Sequence, residues 1–274
     1  MNNEPLGPDF ERYKIADAWK PRGQISGSSY AVLSVLGFMI VLFAWSGITY
    51  PALVDPLFLP TPTEIINSGY KLFTELNFGY DIWVTTYRVL AGFFIAVVIG
   101  VPLGVLMATF KPIEALIEPL IAFFRYMPAS AFLPLFILWI GVNTTEMVAV
   151  IFFGVFFQLV LMMAVAASNV PNELLEVSYT LGTSRSRVIR RVLLPATMPA
   201  ILDAMRLILG WAWTYVVVAE LIGADSGIGY TIIQSQRMLR TGNIIVGILA
   251  IGFLGLISDY IFKWLHHKLF PWTD

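Results

Sequence analysis

The chain has 274 residues, 58% of them hydrophobic and 13% charged, with a net charge of −1 and a mean hydropathy of +0.77. Soluble domains carry about 25% charged residues, so the composition argues against a single water-facing globule, and a charge near zero gives no case for binding nucleic acid. The absence of cysteine excludes disulfides, a thiol nucleophile and Cys-ligated metal. No G-x-x-x-x-G-K-[ST] occurs, so the chain carries no P-loop of its own. The two histidines, His266 and His267, are adjacent and therefore point to different sides of a helix, which argues against a paired metal site.

The first 29 residues are polar and mixed in charge, unlike a signal peptide or a transit peptide. Beyond this tail a transmembrane region is expected over residues 30–274. A bilayer core of about 30 Å needs about 20 apolar residues in a helix, and six runs meet that need. They are Tyr30–Tyr50, Arg88–Phe110, about Met127–Val142, Glu146–Ser168, Pro199–Ile222 and Ile244–Lys263. The third is short and interrupted by Pro128 and Pro134; it starts either at Met127 or as early as Leu116. Between the first two, L-P-T-P-T-E-I-I suits a chain entering an interfacial helix over residues 64–76, with Thr61 or Thr63 as cap. Between the last two, Gly223–Asn243 opens with A-D-S-G-I-G-Y and continues as a short amphipathic helix expected at the surface.

Lysine and arginine excess orients the spans. Arg12, Lys14, Lys20, Arg22, Lys111, four arginines between residues 185 and 191, Lys263 and Lys268 all fall on one side of a six-span arrangement. Both termini are expected to be cytoplasmic.

The segment E-V-S-Y-T-L-G-T-S-R-S-R-V-I-R-R-V-L-L-P (176–195) is too long and too patterned for a plain loop. It reads as two helices. Asn172 would cap the first, with Glu173 and Glu176 in its first turn, and Gly182 would end it in a left-handed conformation. Thr183 or Ser184 would cap the second, which gathers Val188, Ile189, Val192 and Leu193 on one face. Pro195 would end it, and Pro199 would open the fifth span. From composition alone, a basic elbow facing anionic lipid is one reading of this element.

The spacing resembles a known motif. Glu176, Gly182, Val192 and Leu194-Pro195 fall in the register of E-A-A-x-x-x-G-x9-I-x-L-P, the cytoplasmic loop of ABC importer permeases. Val177 and Ser178 stand in place of two alanines and Val192 in place of isoleucine. Five further stretches are similar to the nitrate/sulfonate/taurine branch: T-T-Y-R-V-L-A-G-F (85–93), G-V-P-L-G-V-L-M (100–107), the region 117–135, W-I-G-V (139–142) and A-E-L-I-G-A-D-S-G-I-G-Y (219–230). P-L-F-L-P-T-P (56–62) and K-L-F-P-W (268–272) look closest to taurine-type permeases.

The resemblance covers about residues 50–274. It implies an all-α membrane protein of the type I ABC importer fold in the bacterial inner membrane. The implied assembly pairs two permease copies, most simply a homodimer, with two ABC ATPases and a periplasmic or lipid-anchored solute-binding protein. ATP and Mg2+ would sit on the partner ATPase, and this chain would bind no cofactor and catalyse nothing. Glu176, Gly182, Arg185, Arg187, Leu194 and Pro195 would then form the ATPase-coupling hairpin (172–195), and residues 223–243 a periplasmic gate loop. The implied substrate is a small anion, an organosulfonate such as taurine or nitrate, with bicarbonate, aromatic sulfonates and a vitamin precursor also open.

Ionisable residues within spans are costly and need a reason. Arg206 and Asp259 either pair and lock the bundle, or Arg206 faces an anion pathway. Glu220 reads as a brace for the glycine-rich loop. Arg88 is expected to snorkel to the interface, and Arg125 to meet either the hairpin and its ATPase or lipid headgroups. Gln158 is a polar residue in an apolar run and a candidate for lining the pathway; Trp211, Trp213 and Tyr215 either pack or line it. With Arg206 and Glu220, Gln158, Trp211 and Tyr215 complete the candidate pathway set. Gly100 and Gly104 are spaced for close helix contact, within the subunit or across a dimer. A stand-alone ion-coupled transporter or channel would instead want a midplane relay and an inverted repeat, and an intramembrane enzyme would want histidine–acid or Ser/His pairs within spans.

Overall fold

A computed structural model describes residues 26–272, every regular element of which is helical. The tail expected over residues 1–29 lies outside the described residues up to residue 25. The chain forms two units, residues 1–63 and residues 64–274. In the first, α1 (Gly27–Thr49) starts at Ser26, whose hydroxyl accepts from the Ser29 amide at 3.2 Å. The Trp45 indole donates to the Pro60 carbonyl at 3.1 Å and folds the following loop back on its own helix.

The remaining elements are α2 (Pro62–Glu75), α3 (Phe78–Thr109), α4 (Lys111–Arg125), a short 3-10 turn (Ala129–Phe132), α5 (Leu133–Ile140), α6 (Thr144–Ser168), α7 (Asn172–Thr180), α8 (Arg185–Gly223), α9 (Ile228–Arg237) and α10 (Thr241–Leu269). Among the described residues α1, α3, α6, α8 and α10 are long and apolar enough to cross a membrane, and α4 with Ala129–Ile140 makes a sixth span if that bent pair is counted as one.

Three expectations are corrected. The second helix starts at Phe78 rather than Arg88. Residues 78–87 continue the helix outward, where Asp81, Thr85 and Arg88 share one face that bonds residues 226–231. The third span is not one helix: it bends by 85° between Arg125 and Ala129. Pro128 has no amide to donate and pushes the residue before it out of helical geometry; α5, at eight residues, is about 12 Å long and too short to cross alone. Finally, Pro195 ends nothing. The helix that begins at Arg185 runs to Gly223 through a π-helical turn at Ile189–Leu193, where the Leu194 amide bonds the Ile189 carbonyl. A widened turn tolerates a missing donor just beyond it, so the second arm of the hairpin and the span form one rod of 39 residues.

The core of the larger unit is α3, α6 and α8, with Phe93, Ile151, Leu159, Ile208 and Val216 buried among them. Lipid is as apolar as leucine, so helices in a bilayer gain from close packing rather than from escaping water. Gly92, Gly100 and Gly104 supply that closeness on one face of α3. A methyl group at Gly104 would lie on Met163 and 2.5 Å from the Val160 carbonyl of α6, and one at Gly92 would lie 2.8 Å from Ile151. The glycine contact is therefore made within the subunit. At Gly100 the nearest atom would be a Leu159 methyl at 3.1 Å, a side chain that can turn away.

Gly104→Ala is accordingly expected to lower stability by about 1–3 kcal/mol, because backbone must move. Gly100→Ala should cost well under half of that, and thermal unfolding of the two variants in detergent would compare them.

Candidate functional site

Three constellations carry chemistry, and the first is the hairpin. Helix α7 has no buried residue. Gly182 follows it at φ +76°, with nothing within 4 Å of where a Cβ would stand. The Gly182 amide bonds the Tyr179 carbonyl at 2.9 Å and the Thr183 amide bonds the Ser178 carbonyl at 3.1 Å. This pair of bonds is a Schellman motif with glycine at its left-handed position, as the spacing predicted. The caps differ: Asn172 is the first helical residue rather than the cap, and Ser184 caps α8 without a side-chain bond. Glu176, Gly182, Arg185, Arg187 and Pro195 are exposed, as are Leu174, Val177, Tyr179 and Leu181, while Leu194 is partly buried against the core. Val188 and Leu193 are buried.

At the other end of α8, Glu220 is almost completely buried. It accepts from Arg88 Nη1 at 2.8 Å, from the Thr85 hydroxyl at 2.8 Å and from the Gly229 amide at 2.8 Å. Arg88 Nη1 also donates to the Ser226 carbonyl at 2.7 Å. The Thr85 oxygen receives the Ile228 amide, and Asp81 receives the Gly227 amide at 2.7 Å and the Thr231 hydroxyl at 2.7 Å. The glycines of A-D-S-G-I-G-Y follow from this: Gly227 stands at φ +111°, and a Cβ there would sit 2.5 Å from the Glu220 carboxylate. Glu220 thus braces the loop. Arg88 does not snorkel; its guanidinium is 2% exposed and is held inside by Glu220.

The third constellation is a small aromatic pocket between the break in the third span, α6 and α8. Gln158, Trp211 and Tyr215 all line it. Arg206 and Glu220, grouped with these from the sequence, lie elsewhere. Arg206 Nε donates to Asp259 on α10, which also pairs with Lys263 at 2.8 Å. Trp213 packs in the core and its indole donates to Ser258 at 3.2 Å. Arg125 meets Tyr126, whose hydroxyl it bonds at 2.8 Å, and lines the same pocket as Gln158.

Residues 100–271 match the binding-protein-dependent transport system inner membrane component. The chain belongs to this family of ABC transporter permeases. A probable ABC transporter permease of Brucella abortus is 33% identical over 88% of this permease and 96% of the relative. The taurine transport system permease of Escherichia coli is 27% identical over 89% of this permease and 91% of its own length. Its relatives place the permease in the nitrate/sulfonate/taurine branch, as a multi-pass inner-membrane protein. Among solved structures, an inward-facing conformation of the MetNI methionine ABC transporter superposes with a TM-score of 0.59 at 20% identity, covering 68% of this permease and 94% of that chain. The fold is that of a type I importer permease.

Two functional-looking residues escaped the sequence reading. Asp81 was hidden in a stretch read as loop, although Asp81, Thr85 and Arg88 at i, i+4 and i+7 signal one helix face. Glu146 was read only as the start of the fourth span. It is fully buried, neither carboxylate oxygen has a partner among the described residues, and Arg88 Nε is likewise unpartnered.

Arg88→Met alone strands the buried Glu220 carboxylate and should destabilise the permease by about 3–5 kcal/mol. Pairing it with Glu220→Gln should recover much of that loss, read as the unfolding midpoint in detergent. For the α8–α10 tie, Arg206→Asp and Asp259→Arg should each reduce the folded yield, and the double reversal should restore it.

Proposed function

We propose that two copies of this permease form the transmembrane pathway of an ATP-driven importer for a small anion, of the organosulfonate (taurine) or nitrate class. Residues 172–195 dock on an ABC ATPase, which holds ATP and Mg2+, and the permease itself catalyses nothing. The hairpin end and both termini face the cytoplasm, in line with the clustering of arginine and lysine there. The loop over 223–243 forms the opposite gate, below a solute-binding protein. Closure of the ATPases opens the pathway outward, and their separation opens it inward.

The observation that carries this reading is the continuity of α8. The exposed, basic second arm of the hairpin passes without a break into a span whose far end carries Glu220, the brace of the gate loop. A force on that arm therefore reaches the opposite end of the helix by rigid-body motion, whereas a flexible loop would absorb it. The names of the relatives, taurine permease among them, support the anion class.

The left-handed Gly182 provides the test. Proline cannot adopt φ +76° and asparagine can. In proteoliposomes with the cognate ATPase and binding protein, Gly182→Pro should lower uptake of radiolabelled taurine or nitrate by about tenfold or more, with membrane insertion intact. Gly182→Asn should retain most of it. The chain has no cysteine, so Gly182→Cys or Arg185→Cys introduces a unique cross-linking site. Failure to capture an ATPase there in intact membranes, or uptake without one, would overturn the reading.

A further inference from the structure

The pocket at the broken span has an unusual polar inventory. Its cavity of about 50 Å³ has room for a few water-sized groups and none for a large ligand. One wall is aromatic: Phe124 stacks on Phe157 with centroids 5.2 Å apart, and Phe153 stands edge-on to Phe157 at 5.0 Å. The opposite wall is fixed by a close approach. The Tyr215 ring of α8 lies where a Cβ on Gly154 of α6 would be, 2.7 Å away, so its position is set by the helix packing itself.

Within these walls the polar side chains are those of Arg125, Gln158, Trp211 and Tyr215, each of which can donate a hydrogen bond. The Nε of Arg125 is buried and has no partner, while its Nη2 is held by the Tyr126 hydroxyl. The Gln158 amide, the Trp211 indole and the Tyr215 hydroxyl make no side-chain hydrogen bond to another described residue. No aspartate or glutamate lines the cavity. The Arg125 Nε, buried without an acceptor beside aromatic rings, is costly until something accepts from it. The complementary guest is compact, anionic and rich in acceptor oxygens, which a guanidinium grips through two parallel bonds. Gln158 is also shared with a larger groove along α6 and α8, lined by Leu161, Met162, Asn169 and Ala204, which extends toward the hairpin end of both helices.

We propose that Arg125, with Gln158, Trp211 and Tyr215, forms a transient binding site for an oxyanion head group, sulfonate or nitrate, inside the permease. The inference rests on the anion-import reading above and adds to it a location and a cation. The 85° break that looks like a defect in the third span is what brings the α4 terminus, and Arg125 with it, to the cavity. Selectivity is then imposed a second time after the binding protein, by charge and size.

The test is equilibrium binding of radiolabelled taurine to the purified permease–ATPase complex without binding protein, competed by nitrate and methanesulfonate and by the neutral compound glycerol. Anions should compete and glycerol should not. Arg125→Gln should weaken binding by about tenfold or more, with Arg125→Lys in between. In proteoliposomes Arg125→Gln should slow uptake while binding-protein-stimulated ATP hydrolysis persists, a split that a merely structural lesion would not produce. Should Arg125→Gln fail to assemble, Arg125→Lys and Gln158→Ala carry the same comparison. Unchanged anion binding and uptake in these variants, or wild-type uptake without any anion binding to the complex, would overturn the site and leave the import reading standing. Absence of uptake of any anion by the wild-type assembly would overturn the import reading and the site with it.

Discussion

The contact on which the rest of the permease hangs is the backbone-close packing of α3 against α6. In a bilayer, apolar side chains have no solvent to escape, so helices adhere where their surfaces fit. Gly92, Gly100 and Gly104 remove side chains along one face of α3, and Ile151, Leu159 and Met163 of α6 fill the space. Once that seam is set, α8 packs on both helices. The Arg88 face of α3 then meets Glu220, and Gly154 of α6 meets Tyr215. The bonded glycine-rich loop and the pocket are both consequences of one seam.

Charge inside the bundle follows a similar economy. Arg88 with Glu220, and Arg206 with Asp259 and Lys263, answer one another, as they must where water is scarce. The pairs also link elements far apart in sequence. Arg88 and Glu220 join α3, α8 and the loop before α9, and Arg206 and Asp259 join α8 to α10. Glu146 and Arg125 depart from this pattern. Each is left without a partner among the described residues at a buried polar position, Glu146 at its two carboxylate oxygens and Arg125 at its Nε in the aromatic pocket.

The mechanical sense of the fold lies in where helices continue and where they stop. The π turn at Ile189–Leu193 lets α8 run past two prolines, so the second arm of the exposed hairpin and Glu220, which bonds the glycine-rich loop, belong to one rod. Around Pro128 the opposite occurs, and the chain breaks beside a cavity. Proline permits both outcomes. A preceding wide turn accommodates the lost donor in the first case, and an abrupt change of direction does so in the second.

Much was legible in the sequence by itself because it depends on local rules. Apolar run length placed the first, fourth and sixth spans closely, since the bilayer sets how many residues a crossing needs. The spacing from Glu176 to Pro195 fixed the hairpin, because only glycine sits easily at the left-handed end of α7. Gly100 and Gly104, four apart, identified a face of α3 that must be crowded, and the structure extends it to Gly92. What tertiary structure alone decided is which distant groups meet. Hydropathy ended α3's span at Arg88, because it scores Asp81 and Thr85 as solvent-seeking and has no knowledge of the amides of residues 227 and 228 that bond them. It sent Arg88 to the interface because a lone arginine near a helix end would go there, and Glu220 lies 132 residues further along the chain. It divided Gln158, Trp211 and Tyr215 from Arg125 because no periodicity reports a bend in one helix that faces the middle of two others. Sequence determines what each segment must bury or expose, and packing determines against what, because partners across a bundle are chosen by shape and charge in three dimensions.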